Sequence, residues 1–573
     1  MDPSTLIRPP QDIAQSYRWQ ILVAILFFSC LATRLVTGLQ SRDGPQRRAR
    51  KLPYWVPGLG HLVSLYRGHR SFLIAARKTI GDPIVAVQIG WKTHHVVYSP
   101  ALQREVLSHG QTTAEPFLET LMENVMADNG LYRSLSREAR KALAAPLELF
   151  TDETKLGELT TFVTRFLKRE TANFVTFNHS IVDQTAWERG AGVKVIDDDQ
   201  GTSTCEAKLF ALARNFTAHM ATYALLGEAF IEFHPGLQED LWAWHSASTA
   251  LLFGAPKWLP SPGISAAYAG RQRVQQLMAV LEASFAAIED GNERSVPIDF
   301  RDLDDVSAVM QERMRKARQQ LPGNSTNNSI DTVTVSKRAK LNSAVLWAAT
   351  ADAPLLVFWM LYHIYSDPKL LDAVREEISP FARASRLSQK ETGLPFAEPP
   401  RLELDVQRLL QDCPLLRAVY IETTRLYVHA VATRTVTGND GLTLTDPENE
   451  QKKFRFRPGD RLTVSAGAHH MDPSFFRDPD TFSPDRFLED NEGSEKKSVT
   501  CRTVLPYGID KDVLGKTTRG FTERQVLATT AAILAMWTIE PVSGSWPTSV
   551  KRCLGSGTYY PAKDIKVRLQ QRV

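Results

Sequence analysis

The apolar residues of this chain change their spacing several times, and each change predicts an element. Residues 19–33 (WQILVAILFFSCLAT) are apolar on every face and carry no charge. With Arg34 and the following LVTGL the run reaches roughly twenty residues, the length that crosses a bilayer. Further on, FLIAARK at 72–78 has one apolar helical face and stops at Gly81-Asp82-Pro83. IVAVQIG at 84–90 and HHVVY at 94–98 have strand spacing and read as a hairpin turning through Gly90-Trp91-Lys92. Helical spacing then dominates from Ala101 to about Asp290, with a polar break near residues 197–201. Residues 319–335 (QQLPGNSTNNSIDTVTV) have no apolar period and read as a surface loop.

Next comes a helix from Lys340 to about Ser366 that is apolar nearly all round, stopped by Ser366-Asp367-Pro368. Asp352 and Pro354 in its middle favour a buried core helix over a second membrane span. An amphipathic helix from Asp367 to Ile378 should turn Leu370, Leu371 and Val374 inward. The predicted fold class is mainly α with small β-sheets, and no internal repeat is visible.

Charge orients the first apolar run. Residues 41–51 (SRDGPQRRARK) are strongly basic, and the positive-inside rule places that side in the cytosol. Arg34 lies where a long side chain can snorkel to the headgroups. A cleaved signal peptide is the alternative, but no small-x-small cleavage site precedes the basic run. The expected parse is an N-terminal segment at 1–18, a transmembrane anchor at 19–39, a basic, proline-rich hinge at 40–65 and one large domain at 66–573. Sequons at Asn178, Asn215, Asn324 and Asn327 would then face away from the glycosylation machinery.

Composition narrows the class. A formal charge of +4 on 573 residues gives no argument for nucleic acid. Five scattered cysteines (Cys30, Cys205, Cys413, Cys501, Cys553) show neither metal spacing nor a disulfide framework. The adjacent His469 and His470 read as a surface or turn pair.

Two late motifs carry more information. Glu422 and Arg425 stand at i, i+3 on one helical face. PDRF at 484–487 follows, then a loop and a long apolar helix. In that order these resemble the cytochrome P450 family, and filamentous-fungal members in particular. LWA at 346–348 and FW at 358–359 are similar to the subgroup holding sterol 7α-hydroxylases and prostacyclin synthase. The resemblance covers about residues 50–570. It implies a buried structural triad of Glu422, Arg425 and Arg486, a haem-propionate arginine at Arg434, and haem as cofactor. It also implies a lipophilic small molecule as substrate, an endoplasmic-reticulum-type membrane location and a membrane reductase as electron donor. An early-helix propionate ligand has no clean match among Tyr132, Arg137, Arg140 and Lys141.

The loop expected to hold the axial cysteine thiolate reads LPYGIDKDVLGKTTRGF at 505–521 and contains no cysteine. Counting from Tyr507, or back from Glu523, puts the ligand position on Leu514. Gly515-Lys516 read as the residues after the ligand give Val513, and Phe521 read as the helix-opening aromatic gives Lys516. Without a thiolate, oxygen cleavage loses its electronic push. On the central helix, Asp352 falls where the family activates oxygen, and the usual threonine after it is Ala353. Asp352 is therefore the candidate acid, its pKa raised by burial. Three readings stay open: a P450-scaffold enzyme catalysing a non-oxidative isomerisation, cyclisation or elimination; a conventional haem-thiolate monooxygenase whose loop sequence misleads; and a non-catalytic relative binding a lipid or partner.

Overall fold

The computed structural model describes residues 10–39, 46–144, 153–197, 203–292, 296–322, 332–386, 398–429, 431–490, 497–500 and 515–573. These fall into two compact units: Met1–Pro116 with Val431–Asp472, and Phe117–Ala430 with Pro473–Val573.

The first unit carries the apolar N-terminal helix α1 (Pro10–Gly38). Its segment Arg18–Gly38 has a mean hydropathy of 2.1 and none of it is buried. Arg34 does not reach outward as a snorkelling side chain would. Its Nη1 donates to Pro53 O at 2.6 Å and its guanidinium lies over the Trp55 ring. Thr37 Oγ1 accepts from Tyr54 N, so the foot of α1 is tied to residues 53–55. Helix α2 (Leu62–Ile80) begins ten residues before the expected apolar face and ends on Gly81, whose φ of 71° is the left-handed cap that favours glycine. The expected hairpin is present as β1 (Ile84–Ile89) and β2 (Lys92–Val97), paired antiparallel. They join β3 (Val431–Val436) and β4 (Arg461–Ser465) in a six-stranded sheet. Val85, Val87, Val96 and Tyr98 pack on Leu65, Leu73 and Ala76 of α2 to form this unit's core.

The second unit is mostly helix, and its long elements are α3 (Leu209–Glu232), α4 (Leu237–Leu252) and α5 (Pro262–Glu289). The central apolar run forms two helices rather than one, α6 (Thr332–Ala351) and α7 (Ala353–Ser366), interrupted at Asp352. The most apolar 18-residue window of Thr332–Ser366 is 89% buried, as a core helix should be. It also starts inside what reads as loop in the sequence, because tertiary burial of Val335 and Ala339 outweighs the polar composition there. The remaining long elements are α8 (Pro414–Tyr427) and α9 (Gly515–Met536). The stretch expected to be helical up to Asp290 contains a strand pair, Lys194–Asp197 with Ser203–Lys208. It extends a four-stranded sheet with Trp537–Pro541 and Lys566–Gln571. A short hairpin, Arg552–Leu554 with Tyr559–Pro561, closes the chain's last turn.

His469 and His470 depart from expectation. Both are buried, at 2% and 0% exposure, in and just after the short helix Ala466–His469. The polar look of a histidine pair says nothing of which face a tight turn presents to the core. No group of three or more potential metal ligands occurs among the described residues.

Candidate active site

Proline creates the break in the central helix. Pro354 has no N–H, so the carbonyl of Thr350, four residues earlier, loses its helical partner. The chain leaves α6 after Ala351, and Leu355 N and Leu356 N both donate to Asp352 O at 3.1 and 3.0 Å. Proline is tolerated there because it falls in the first turn of α7. The Asp352 side chain is thereby held at an irregular, half-buried point of an otherwise buried helix.

The hairpin turn at residues 555–558 meets this point. Thr558 Oγ1 donates to Asp352 Oδ1 at 2.6 Å. A Cβ on Gly557 would come within 3.2 Å of the same oxygen, so glycine is what lets the turn approach so closely. Burial drives the Asp352 pKa up to about 6, against the opposing pull of the Thr558 hydrogen bond.

A second polar set lies one step away. His245 on α4 has Ser556 Oγ at 3.1 Å from Nδ1 and Thr350 Oγ1 at 3.0 Å from Nε2, and its ring stacks on Trp347. Thr350 Oγ1 gives its own proton to Leu346 O at 2.8 Å. It must therefore accept from Nε2–H, which leaves Nδ1 bare to accept from the Ser556 hydroxyl. Burial pushes the His245 pKa down to about 3, so the ring is neutral. The turn is tied to α4 again through Thr249 Oγ1, which donates to Gly555 O at 3.1 Å. His245, Thr350, Ser556 and Thr558 have no motif spacing in the sequence. The one available signal is the run GSGT at 555–558, a turn composition without an evident target.

The structure brings Glu422, Arg425 and Arg486 together. Arg425 donates from Nε and Nη2 to the two Glu422 oxygens at 2.7 and 2.8 Å. Arg486 Nε reaches Glu422 Oε1 at 3.2 Å, and Ser483 N adds a fourth donor at 2.9 Å. Glu422 and Arg425 are both fully buried. Arg425 Nη1 also donates to Pro479 O at 2.7 Å, which pins the segment before PDRF to α8.

Arg434 lies in β3 of the first unit, 3% exposed, and Nη2 donates to Leu107 O at 2.8 Å. Arg140 is engaged by Glu119 at 3.0 Å and by Tyr132 O at 3.0 Å. A small cavity beside the first half of α6 is lined by Leu118, Met122, Tyr132, Arg140, Leu341 and Val345 among others. Val513 and Leu514 lie outside the described residues, and Lys516 falls in the first turn of α9.

The family's haem is held through a cysteine thiolate just before this helix. From residue 502 to the start of α9 the chain has no cysteine. Among the described cysteines, Cys30 is in α1, Cys205 is buried in a sheet and Cys553 is in the final hairpin. Cys413 packs before α8 with its thiol toward Glu377 O, and burial raises its pKa to about 12. Among the described residues no cysteine is placed just before α9 to hold haem through a thiolate.

The second unit thus combines a mostly helical body, a triad in which Glu422 and Arg425 are fully buried, and a broken central helix bearing a carboxyl. Residues 292–509 match the cytochrome P450 family. The chain is 23% identical over 604 residues to "Cytochrome P450 monooxygenase efuG" of Hormonema carpetanum, covering 97% of this chain and 98% of that protein. It is 22% identical over 534 residues to "Cytochrome P450 monooxygenase poxD" of Penicillium oxalicum, covering 91% and 93%. To the prostacyclin synthase of Rattus norvegicus it is 27% identical over 239 residues, 40% of this chain and 44% of that one. Over residues 292–509, and at low identity along most of its length, the chain is similar to cytochrome P450 proteins, which supports a P450-type oxidoreductase.

Proposed function

We propose that this protein is a membrane-anchored P450-family enzyme of fungal-type secondary metabolism that catalyses a proton-driven, non-oxidative step on a lipophilic small molecule. Isomerisation, cyclisation and elimination are the reaction types that such a step allows. The observation that carries this reading is Asp352. It stands at the helix break with a pKa near 6, and one of its oxygens is already occupied by Thr558. Because Thr558 donates to Oδ1, the carboxyl proton resides on Oδ2. From there it is delivered to a substrate oxygen or double bond and taken back from the neighbouring carbon. Burial raises the carboxyl's pKa to about 6, close enough to neutral for it to give a proton and take one back. Anchoring through residues 19–39, with the large domain cytosolic, matches the exposed apolar face of α1. Glu422, Arg425 and Arg486 are assigned a structural role, and Arg434 the propionate position that the family gives it.

The names of the relatives favour a second reading, a haem-thiolate monooxygenase with electrons from a membrane reductase. The test is the absorption spectrum of the purified full chain, with haem quantified, before and after reduction under carbon monoxide. Absence of a thiolate-type shift, together with substrate conversion that needs no reductant and is lost in Asp352→Asn, is the expected result. A stoichiometric haem with that shift overturns the non-oxidative reading.

A further inference from the structure

Arg214 sits in the first turns of α3 with its guanidinium 4.8 Å from the Phe210 ring centroid and 4.4 Å from that of Trp242. Among the described residues it makes no hydrogen bond and no ion pair, and its Nε is buried without a partner. The nearby acid is spoken for. Asp564 accepts the backbone N–H groups of Phe210, Ala211 and Ile565 at 2.8, 2.9 and 2.7 Å and so caps the start of α3. Asp564, Tyr560 and Glu239 act on Arg214 only through space, Asp564 most strongly. A guanidinium packed against rings, with no counter-ion in contact, is a costly arrangement that an anion in contact would relieve. Burial lowers its pKa, but only to about 10, so the charge persists.

The surroundings say what would fit. The two ring centroids lie 4.8 and 4.4 Å from the guanidinium carbon, and the planar N–H fork of a guanidinium matches a carboxylate. A single positive charge balances one negative charge and not two, which disfavours a phosphate dianion. The neighbouring side chains are aromatic: the Phe210 ring stacks on Tyr560 at 9°, and Trp242 leans on His245 at 5.7 Å. His245 in turn bonds Ser556 and Thr350, in the turn and the helix that also hold Thr558 and Asp352.

We propose that Arg214 is the binding point for the carboxylate of a lipophilic acid, taken edge-on beside Phe210 and Trp242. This rests on the lipophilic-substrate reading above and narrows it to ligands with one free carboxyl group. It does not require Asp352 to act as an acid.

The test is equilibrium binding by the full chain in lipid nanodiscs at pH 8, empty nanodiscs subtracted, with dodecanoate and methyl dodecanoate as probes. The wild type is expected to bind one dodecanoate per chain and the ester about tenfold more weakly or worse. Arg214→Gln should bind the two alike, and Arg214→Lys, a point charge without the fork, should fall between them. Equal binding of acid and ester by the wild type overturns the proposal whether or not the variants fold. So does an acid preference that survives in folded Arg214→Gln. Asp352→Asn is expected to keep the preference while losing turnover. Loss of the preference there would place the carboxylate elsewhere and also overturn the assignment.

Discussion

Thr558 and Asp352 are 206 positions apart in sequence, yet the threonine hydroxyl donates to the aspartate at 2.6 Å. That bond places the protein's last hairpin on the break in its central helix.

The Asp352 pKa, raised from the ordinary 3.8 to about 6, sets a stability window. The folded state holds a proton that the unfolded state has already lost, so stability falls as pH rises from about 4 through about 6 and levels off above. A shift of about two units corresponds to about 3 kcal/mol. Asp352→Asn should flatten that slope in urea melts taken from pH 4 to pH 8. Thr558→Val removes the one hydrogen bond that opposes the shift, so it should move the window to higher pH. An unchanged slope in Asp352→Asn would assign the pH dependence to another group.

His245 predicts the opposite sign. Its pKa is depressed to about 3, so stability is full above about pH 6.5 and is lost as pH falls through the acid range. His245→Gln can keep one hydroxyl contact without titrating. It should reduce the acid-side loss while leaving the fold intact by circular dichroism.

Glu422 receives donors from two guanidiniums and a backbone N–H at 0% exposure. Glu422→Ala would strand buried positive charge and is expected to destabilise the protein by about 3–5 kcal/mol, or to prevent its accumulation. Arg486→Ala should cost less, because Arg486 is 16% exposed and Arg425 still neutralises the carboxylate. Denaturant midpoints of the two variants give the order.

Pro354→Ala restores the N–H that the Thr350 carbonyl lacks and lets α6 run on into α7. Removing an interior helix breaker should raise the melting temperature while carrying Asp352 away from Thr558. The check is whether the pH window of Asp352 moves together with that gain in stability.

The ligand position is testable by restoration. Leu514→Cys, with Val513→Cys as its neighbour in register, should confer a thiolate-type carbon monoxide spectrum on the reduced protein if the haem site is otherwise retained. A spectrum that stays unchanged in both variants would argue that the loop's geometry, and not one residue, has departed from the family.

Periodicity alone determined much of this molecule. The apolar run of α1, the strand alternation of β1 and β2, and the helical face ending at Gly81 are local patterns, because each element buries its own face with a fixed repeat. The pairing of Glu422 with Arg425 is likewise a local i, i+3 relation, and the absence of a cysteine between 502 and 552 is read from the chain alone. Asp352 and Pro354 were visible as oddities in an apolar helix. That Pro354 divides the helix, and that Thr558 then meets the freed carboxyl, depended on tertiary packing. His245, Ser556, Thr350 and Arg214 became a site only there too. They come from elements with no shared period, and hydrogen bonds formed across hundreds of residues leave no spacing in the sequence. Burial decided the rest: it turned His469 and His470 inward and set the protonation of Asp352 and His245, since desolvation depends on what the folded chain packs around a group.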